Sequence, residues 1–521
     1  MNINFSNHIE SLANRFGDQE AIVNIERNRR YTFAEFHLLS NRIVNMMMAT
    51  LGLGIGDRFV NILDNDNLSL IHAPTIFKGG ATGAFTNFRD SVDEHTWQIE
   101  AAGAKVAFIE TELLKTHYEM LKERNVSIVV MDKPKEQLDG VHYFWDLVDS
   151  APDHNPDVEL DDREHCAIIR FTGGTTGKGK PAMYNIDNWL SCRDTAFAFD
   201  DKDMWIAEPR CIHVAPISHG SGMLVLPTFY SGGCTITQNS PDLNAYCANI
   251  EHEKATLTFL VPTILYRLLD IESDLSSLRF VVYGAAPMSS GKLKQLQAKL
   301  GNIFVQGYGS TEHFGFASNM STKQHIIHNE EDEVRLGSAG QPTPSVECII
   351  VDEKGNKLPK GETGELWVRS RSICLGYLNA PELTAEEFQN GFWKSGDLGY
   401  MDDNGFIYLV DRKKDMIISG GFNIYANEVE SALNSHPSVL MAAVVGIPHE
   451  EWGEAVHAEV VLRGDENVTE AELISHVKSL IGSYKAPKTI LVVEQVPTSV
   501  VGKVLRRKVR EQYWKKGRQI S

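Results

Sequence analysis

An α/β fold with a smaller domain at its C-terminal end is what this sequence predicts, on three observations. Short apolar runs such as FVNIL (residues 59–63) and AKVAFIE (residues 104–110) alternate with helical stretches, the rhythm of largely buried sheets covered by helices. Residues 349–370, IIVDEKGNKLPKGETGELWVRS, read as a β-hairpin and place an antiparallel subdomain late in the larger part. From residue 416 the pattern becomes a compact unit: strands at 442–447 and 455–462, a helix after Thr469, and a strand at 489–496. A chain of 521 residues has room for two or three such domains.

Composition narrows the classes of function. A net charge of -19 argues against general binding to nucleic acid or anionic membranes, so a phosphate ligand must be held by locally placed Lys, Arg and N–H groups. The seven cysteines include no CxxC pair and no zinc spacing, as expected for buried thiols in a reducing compartment. No stretch has the apolar length of a membrane span, the start lacks a secretory pattern, and GRQIS is not a peroxisomal address. The expectation is a soluble cytoplasmic protein, with the oligomeric state open and a homo-oligomer allowed.

Taken in order, Thr32 and Glu35 form a capping-box pattern before Leu38, Leu39, Ile43, Val44 and Met47, an amphipathic helix closing near Gly52. The acidic, Pro-containing stretch 149–164 reads as a connection. It leads into FTGGTTGKGKPAMYN, residues 171–185. There Gly173, Gly174, Gly177 and Gly179 stand among Thr172, Thr175 and Thr176, with Lys178 and Lys180 following, so backbone N–H, hydroxyl and ammonium groups can surround an anion. A flexible surface turn fits the same composition. The spacing is not that of a Walker A loop, because Gly173 is one residue too close to Lys178 and Gly179 stands where the hydroxyl belongs.

Further on, residues 213–229 form a strand-like run, a turn carrying His219 and an apolar helix; His219 could equally be a satisfied turn histidine. RFVVYGAAPMS (279–289) breaks at Gly284 into small residues that admit a planar ligand or a close helix. The next strand ends in Tyr308, Gly309, Ser310, Thr311 and Glu312, placing a hydroxyl beside a carboxylate as a phosphate-bound Mg2+ requires, or as an ordinary helix start would. Residues 393–430 gather Asp397, Asp411, Arg412, Lys413, Lys414 and Asp415 around short strands, where a solvated turn is the plain reading. The small domain's helix starts at Thr469 and Glu472 and carries Leu473, Ile474, Val477, Leu480 and Ile481 on one face. The basic segment 497–516 reads as a surface helix or a weak membrane binder.

Together and in this order, FTGGTTGKGK, PISHGSG, YGAAP, QGYGSTE, WKSGDLG, DRKKDMIISGGFNIYANEVE and GKVLRR resemble the adenylate-forming superfamily of acyl-CoA synthetases, peptide-synthetase adenylation domains and luciferases. The resemblance implies a large N-terminal domain of packed mixed sheets with a β-rich subdomain, residues 1–413, and a small mobile α+β lid, residues 414–521, pivoting at Lys414. It implies ATP, Mg2+ and coenzyme A: a carboxylate is adenylated with loss of pyrophosphate, and a thiol then displaces AMP. Thr172, Gly174, Thr175, Thr176, Gly177 and Lys180 would hold the β- and γ-phosphates, although many members have Ser at Gly173 and Pro-Lys-Gly at Gly179, Lys180 and Pro181.

By the same resemblance Gly284, Ala285, Ala286 and Pro287 line the adenine site, with Tyr308 stacking on the base and Gly309 beside it. Thr311 contacts the α-phosphate, Glu312 is the Mg2+ ligand, and Asp397 with Arg412 holds the ribose hydroxyls. Lys503 is the catalytic lysine, and the segment around Gly420 and Gly421 replaces it when the lid turns. His219 gates an acyl pocket drawn from residues 219–226, Tyr283, Gly309 and residues 313–315. That pocket lacks the Asp of amino-acid-activating relatives, so the implied substrate is a plain fatty or aromatic carboxylic acid. Loading of a carrier protein, a luciferase-like oxygenase and a silent homologue are the alternatives.

Overall fold

The computed structural model describes residues 1–172, 178–205, 208–464, 468–498 and 504–514. Among these, two large sheets carry the N-terminal part. In the first, Cys166–Phe171, Thr82–Phe85, Arg58–Ile62, Val106–Ile109, Ser127–Val130 and Val141–Tyr143 run parallel, and Pro181–Asn185 pairs antiparallel at one edge. In the second, Glu20–Asn24, Cys234–Thr237, Arg210–His213, Leu257–Leu260, Phe280–Gly284 and Phe304–Tyr308 are parallel, with antiparallel strands at both edges. Their strands are near-continuous apolar runs because both faces are covered. One core containing Phe36, Phe59, Phe108, Trp189 and Phe229 joins the two sheets.

The expected hairpin is present as Glu347–Val351 against Gly364–Arg369, and Phe392–Met401 and Ile407–Arg412 extend it. The C-terminal sheet pairs Val439–His449 with Gly453–Leu462, adds Thr489–Val492 in parallel, and packs on the helices Ala426–Asn434 and Glu470–Ile481. The fold is thus α/β with mixed sheets and a small C-terminal unit, as the sequence predicts.

Local signals set several boundaries. Thr32 and Glu35 form a reciprocal capping box on Phe33–Ala49, and Thr469 and Glu472 do the same on Glu470–Ile481. Each expected apolar face is one residue too wide: Leu38 and Leu480 point to solvent. The helix in the basic segment spans only Arg506–Glu511 among the described residues, and two of its three arginines, Arg506 and Arg510, turn inward. Arg506 is buried against Asp411 (3.0 Å) and Glu430 (2.7 Å), and Arg510 reaches Asp415 (3.2 Å). The acidic partners lie in the run expected as a solvated turn. Asp411 is instead fully buried, and burial pushes its carboxyl up to about 6 despite the arginine.

A second charged cluster joins the two large sheets. Arg27 binds Asp64 (2.6 Å), Glu110 (2.8 Å) and Asp132 (2.8 Å), and Arg29 adds a second contact to Asp132. Asp66 lies behind them, with one oxygen accepting from the Thr237 hydroxyl at 2.6 Å and the other without a hydrogen bond. Burial, with the Asp64 charge adding to it, pushes Asp66 up to about 7. The folded chain therefore keeps a proton that the unfolded chain releases near pH 4. The stability this confers is complete below that value and is lost as pH rises towards 7, by up to about 1.4 kcal/mol per unit. Asp66→Asn is expected to flatten this slope, measured as thermal unfolding midpoints at pH 5 and pH 8.

Candidate active site

Ligands meet α/β sheets at the carboxyl ends of the strands, and several of the motifs end there. Phe280–Gly284 and Phe304–Tyr308 lie side by side with Gly284 opposite Gly307, which brings the following Ala285 beside Tyr308. Gly284 is required by that pairing, since a Cβ there would stand 2.1 Å from the Gly307 carbonyl oxygen. The surface that a planar ligand could approach is left to Ala285, Ala286 and Pro287, none of them buried.

The Tyr308 hydroxyl donates to Asp397 Oδ2 at 2.6 Å, and Arg412 Nε meets Asp397 Oδ1 at 2.9 Å. Strand register creates the pair, because Asp397 lies opposite Arg412 across the antiparallel strands Phe392–Met401 and Ile407–Arg412. The Asp397 carboxylate raises the guanidinium above its ordinary value. Burial, then Asp397, holds the Tyr308 phenol well above its own. Asp397 is nearly inaccessible, whereas Arg412 keeps 40% of its side chain exposed, so the arginine is the member of the pair that faces an incoming ligand.

Beyond Gly309 and the partly exposed Thr311, Ser310 Oγ accepts from the Glu312 and His313 amides at 3.1 and 3.3 Å and donates to Glu312 Oε2 at 3.0 Å. The other oxygen of Glu312 lies 3.0 Å from the Tyr377 hydroxyl, which also bonds Glu387. Glu387 in turn pairs with Lys180, whose ammonium sits 5.1 Å over the Tyr377 ring. Lys180, expected to meet phosphate, is therefore linked to the carboxylate expected to bind metal through Tyr377 and Glu387, two residues that the sequence reading passed over. Tyr377 and Glu387 lie 65 residues or more from Glu312 and Lys180 respectively, and no local spacing signals either contact.

Thr172 closes the base of the loop: its amide donates to the Lys180 carbonyl at 2.9 Å and its hydroxyl accepts from the Lys180 amide at 3.0 Å. Gly174, Thr175, Thr176, Gly177 and Lys503 lie outside the described residues. On either side of Lys503's segment, Thr498 and Val504 pair antiparallel. Lys414, expected as an exposed pivot, is half-buried; burial first, then the Arg412 and Lys180 charges, lower its pKa. Three cations thus converge where the polyphosphate is expected.

His219 follows Ser218, whose hydroxyl lies 2.9 Å from its Nδ1, at the head of the 3-10 turn Gly220–Leu224. Gly420 and Gly421, with φ of 57° and 82°, make the exposed two-residue turn of the hairpin Ile417–Ser419 and Phe422–Ile424, where left-handed backbone favours glycine. The side chain nearest Gly420 is that of Trp452.

The donor set suits Mg2+. Among the described residues no three His, Cys, Asp or Glu side chains gather as a metal cage, and Glu312 offers a carboxylate already oriented by Ser310 and Tyr377. An ion that takes one or two protein oxygens and completes its shell with phosphate and water fits such a place.

The sequence matches the AMP-binding enzyme family over residues 9–378 and the AMP-binding enzyme C-terminal domain over residues 428–503. It is 38% identical to the medium/long-chain-fatty-acid–CoA ligase FadD8 of Mycobacterium tuberculosis, over 66% of this chain and 61% of that relative's length. Feruloyl-CoA synthase of Amycolatopsis sp is 32% identical over 92% of this chain and 94% of its own. The crystal structure of ATP-bound MatB from Rhodopseudomonas palustris superposes with a TM-score of 0.86 at 26% identity, covering 98% of this chain and 99% of that one. With both parts matched and the fold shared from end to end, the chain belongs to the AMP-binding enzyme family, within the adenylate-forming superfamily and close to its acyl-CoA synthetases.

Proposed function

We propose that this chain is an ATP-dependent carboxylic acid–CoA ligase acting on a fatty or aromatic acid. The observation that carries the reading is the meeting of Tyr308, Asp397 and Arg412 with Lys180 and Glu312 at the strand ends, one group for each part of a bound ATP. The relatives named as fatty-acid and feruloyl ligases support the same chemistry.

In this reading Asp397 and Arg412 hold the ribose hydroxyls, the carboxylate accepting and the guanidinium donating. Ala285 to Pro287 and Tyr308 flank the adenine. Lys180, with the threonines before it, neutralises the β- and γ-phosphates; to do so it must exchange Glu387 for phosphate oxygen. Glu312 holds Mg2+, which supplies charge neutralisation on the phosphates. Thr311 and Lys503 position the α-phosphate. The acid's carboxylate oxygen forms a bond to the α-phosphorus as the bond to pyrophosphate breaks. The coenzyme A thiol then loses its proton to solvent as its sulfur bonds the acyl carbon, and the acyl carbon–oxygen bond breaks to release AMP. Residues 414–521 act as the lid, turning at Lys414 between the two steps, in a cytoplasmic enzyme that draws on the ATP and CoA there.

Incubation with ATP, Mg2+, CoA and a panel of fatty and aromatic acids, scored for AMP and thioester, tests this. Acid-dependent AMP with acyl-CoA is the expected result. AMP without thioester would instead point to a carrier-protein acceptor, and absence of AMP with every acid would end the proposal.

A further inference from the structure

We propose that Arg170 makes this an enzyme for acids that carry a second oxygen acceptor, a carboxylate or carbonyl, at the end remote from the reacting group. The inference rests on the acid-activating reading above and narrows its substrate class.

Arg170 is an unusual residue for its place. It lies in the parallel-sheet strand Cys166–Phe171, CAIIRF, among residues that are otherwise apolar, and is 5% exposed. Among the described residues no carboxylate forms an ion pair with it. Its Nε donates to the Ser218 carbonyl at 3.2 Å, its guanidinium lies 4.8 Å over the Phe314 ring, and the Tyr184 oxygen is close enough to interact with it. The Glu312 charge reaches it without forming a bond to it. A buried guanidinium without a counter-ion is costly to keep, and its fixed fork of donors matches carboxylate geometry.

A second donor faces the same place. The Tyr184 hydroxyl is completely buried beside the guanidinium, has no hydrogen-bond partner of normal geometry, and its ring meets Phe314 edge-on at 6.0 Å. Burial holds its phenol well above the usual value, so it remains a neutral donor. Two donors converge: the guanidinium spends its Nε on the Ser218 carbonyl, no carboxylate takes its remaining donors among the described residues, and the Tyr184 hydroxyl has no hydrogen-bond partner, which is the condition an incoming oxygen would satisfy.

The placement selects the remote end of the acid. Phe314 belongs to the pocket segment 313–315 and Ser218 adjoins His219 at the head of the other, so the guanidinium borders the residues assigned to the acyl pocket, with Glu312 also near it. The nucleotide side has its own cations, Arg412 for the ribose and Lys180 and Lys414 beside it. The rest of the wall, with Trp189 packed 4.0 Å from Phe314, is apolar and aromatic, which suits the chain or ring between the two polar ends.

The test compares matched pairs of acids, hexanoate with adipate and octanoate with suberate, by pyrophosphate release with ATP and Mg2+. The wild-type chain is expected to favour each diacid over its monoacid by roughly tenfold or more in kcat/KM. In Arg170→Met the diacid-to-monoacid ratio should fall by roughly 10–100-fold, the range of a lost charge-assisted hydrogen bond, with partial recovery in Arg170→Lys. Wild-type indifference to the second carboxylate overturns the assignment, and this measurement needs no variant to fold. So does an Arg170→Met protein of unchanged thermal stability that loses both acids equally, or whose KM for ATP rises while the ratio holds. Pyrophosphate release with some carboxylate but without preference for a diacid defeats this inference alone; none with any carboxylate defeats the ligase reading as well.

Discussion

Lys503→Ala is expected to abolish acyl-adenylate formation while leaving the conversion of supplied acyl-adenylate and CoA to thioester largely intact. Two anions, a carboxylate and the α-phosphate, must meet in the first half-reaction, and one ammonium bridging both lowers their repulsion. Loss of such a charge from a desolvated site costs a few kcal/mol, on the order of a hundredfold or more in rate. In the second half-reaction the nucleophile is a thiol and the charge is dispensable. The described residues that follow Lys503 are anchored. Val504 pairs with Thr498, and Arg506 and Arg510 tie their helix to Asp411 and Asp415 on either side of Lys414. The two half-reactions are measured separately, by pyrophosphate exchange and by thioester formation from synthetic acyl-adenylate. Equal loss in both would contradict a lid with two working positions.

The parts of this architecture legible in the sequence are those whose cause is local. A capping box involves residues three apart, so Thr32 with Glu35 and Thr469 with Glu472 announce their helices before any fold is known. The nucleotide-binding motifs were readable as an ordered set, although part of their glycine content answers to packing, as at Gly284 against Gly307.

What was missed depends on partners brought together only by the fold. Glu387 is 207 residues from Lys180, and Arg506 is 95 from Asp411; each charge alone looks like a solvated one. The basic segment reads as a surface helix for that reason, and two of its arginines, Arg506 and Arg510, instead answer to acids in a run that itself reads as solvated. One signal was available: a lone arginine in the apolar strand CAIIRF is a charge where burial is expected, and a buried charge is more informative than any exposed one.

Asp397→Asn is expected to raise the KM for ATP and to lower kcat/KM for ATP on the order of a hundredfold, with the KM for the acid little changed. The carboxylate now accepts from Tyr308 on one oxygen and Arg412 on the other, and both contacts hold it where the ribose hydroxyls would arrive. The amide keeps the shape, loses the negative charge and replaces one acceptor with a donor that points at Tyr308 or Arg412. Two charge-assisted hydrogen bonds to the ribose at 1.5–3 kcal/mol each set the upper bound, and the retained oxygen keeps part of one, leaving roughly 3 kcal/mol. Stability falls less, by about 1–2 kcal/mol, because Arg412 retains contact with water and is not left wholly uncompensated. Steady-state kinetics with ATP and acid varied in turn separates the two effects. A rise in the acid KM with the ATP KM unmoved would place the ribose elsewhere and make the Tyr308, Asp397 and Arg412 group a brace between the strand Phe304–Tyr308 and the antiparallel sheet.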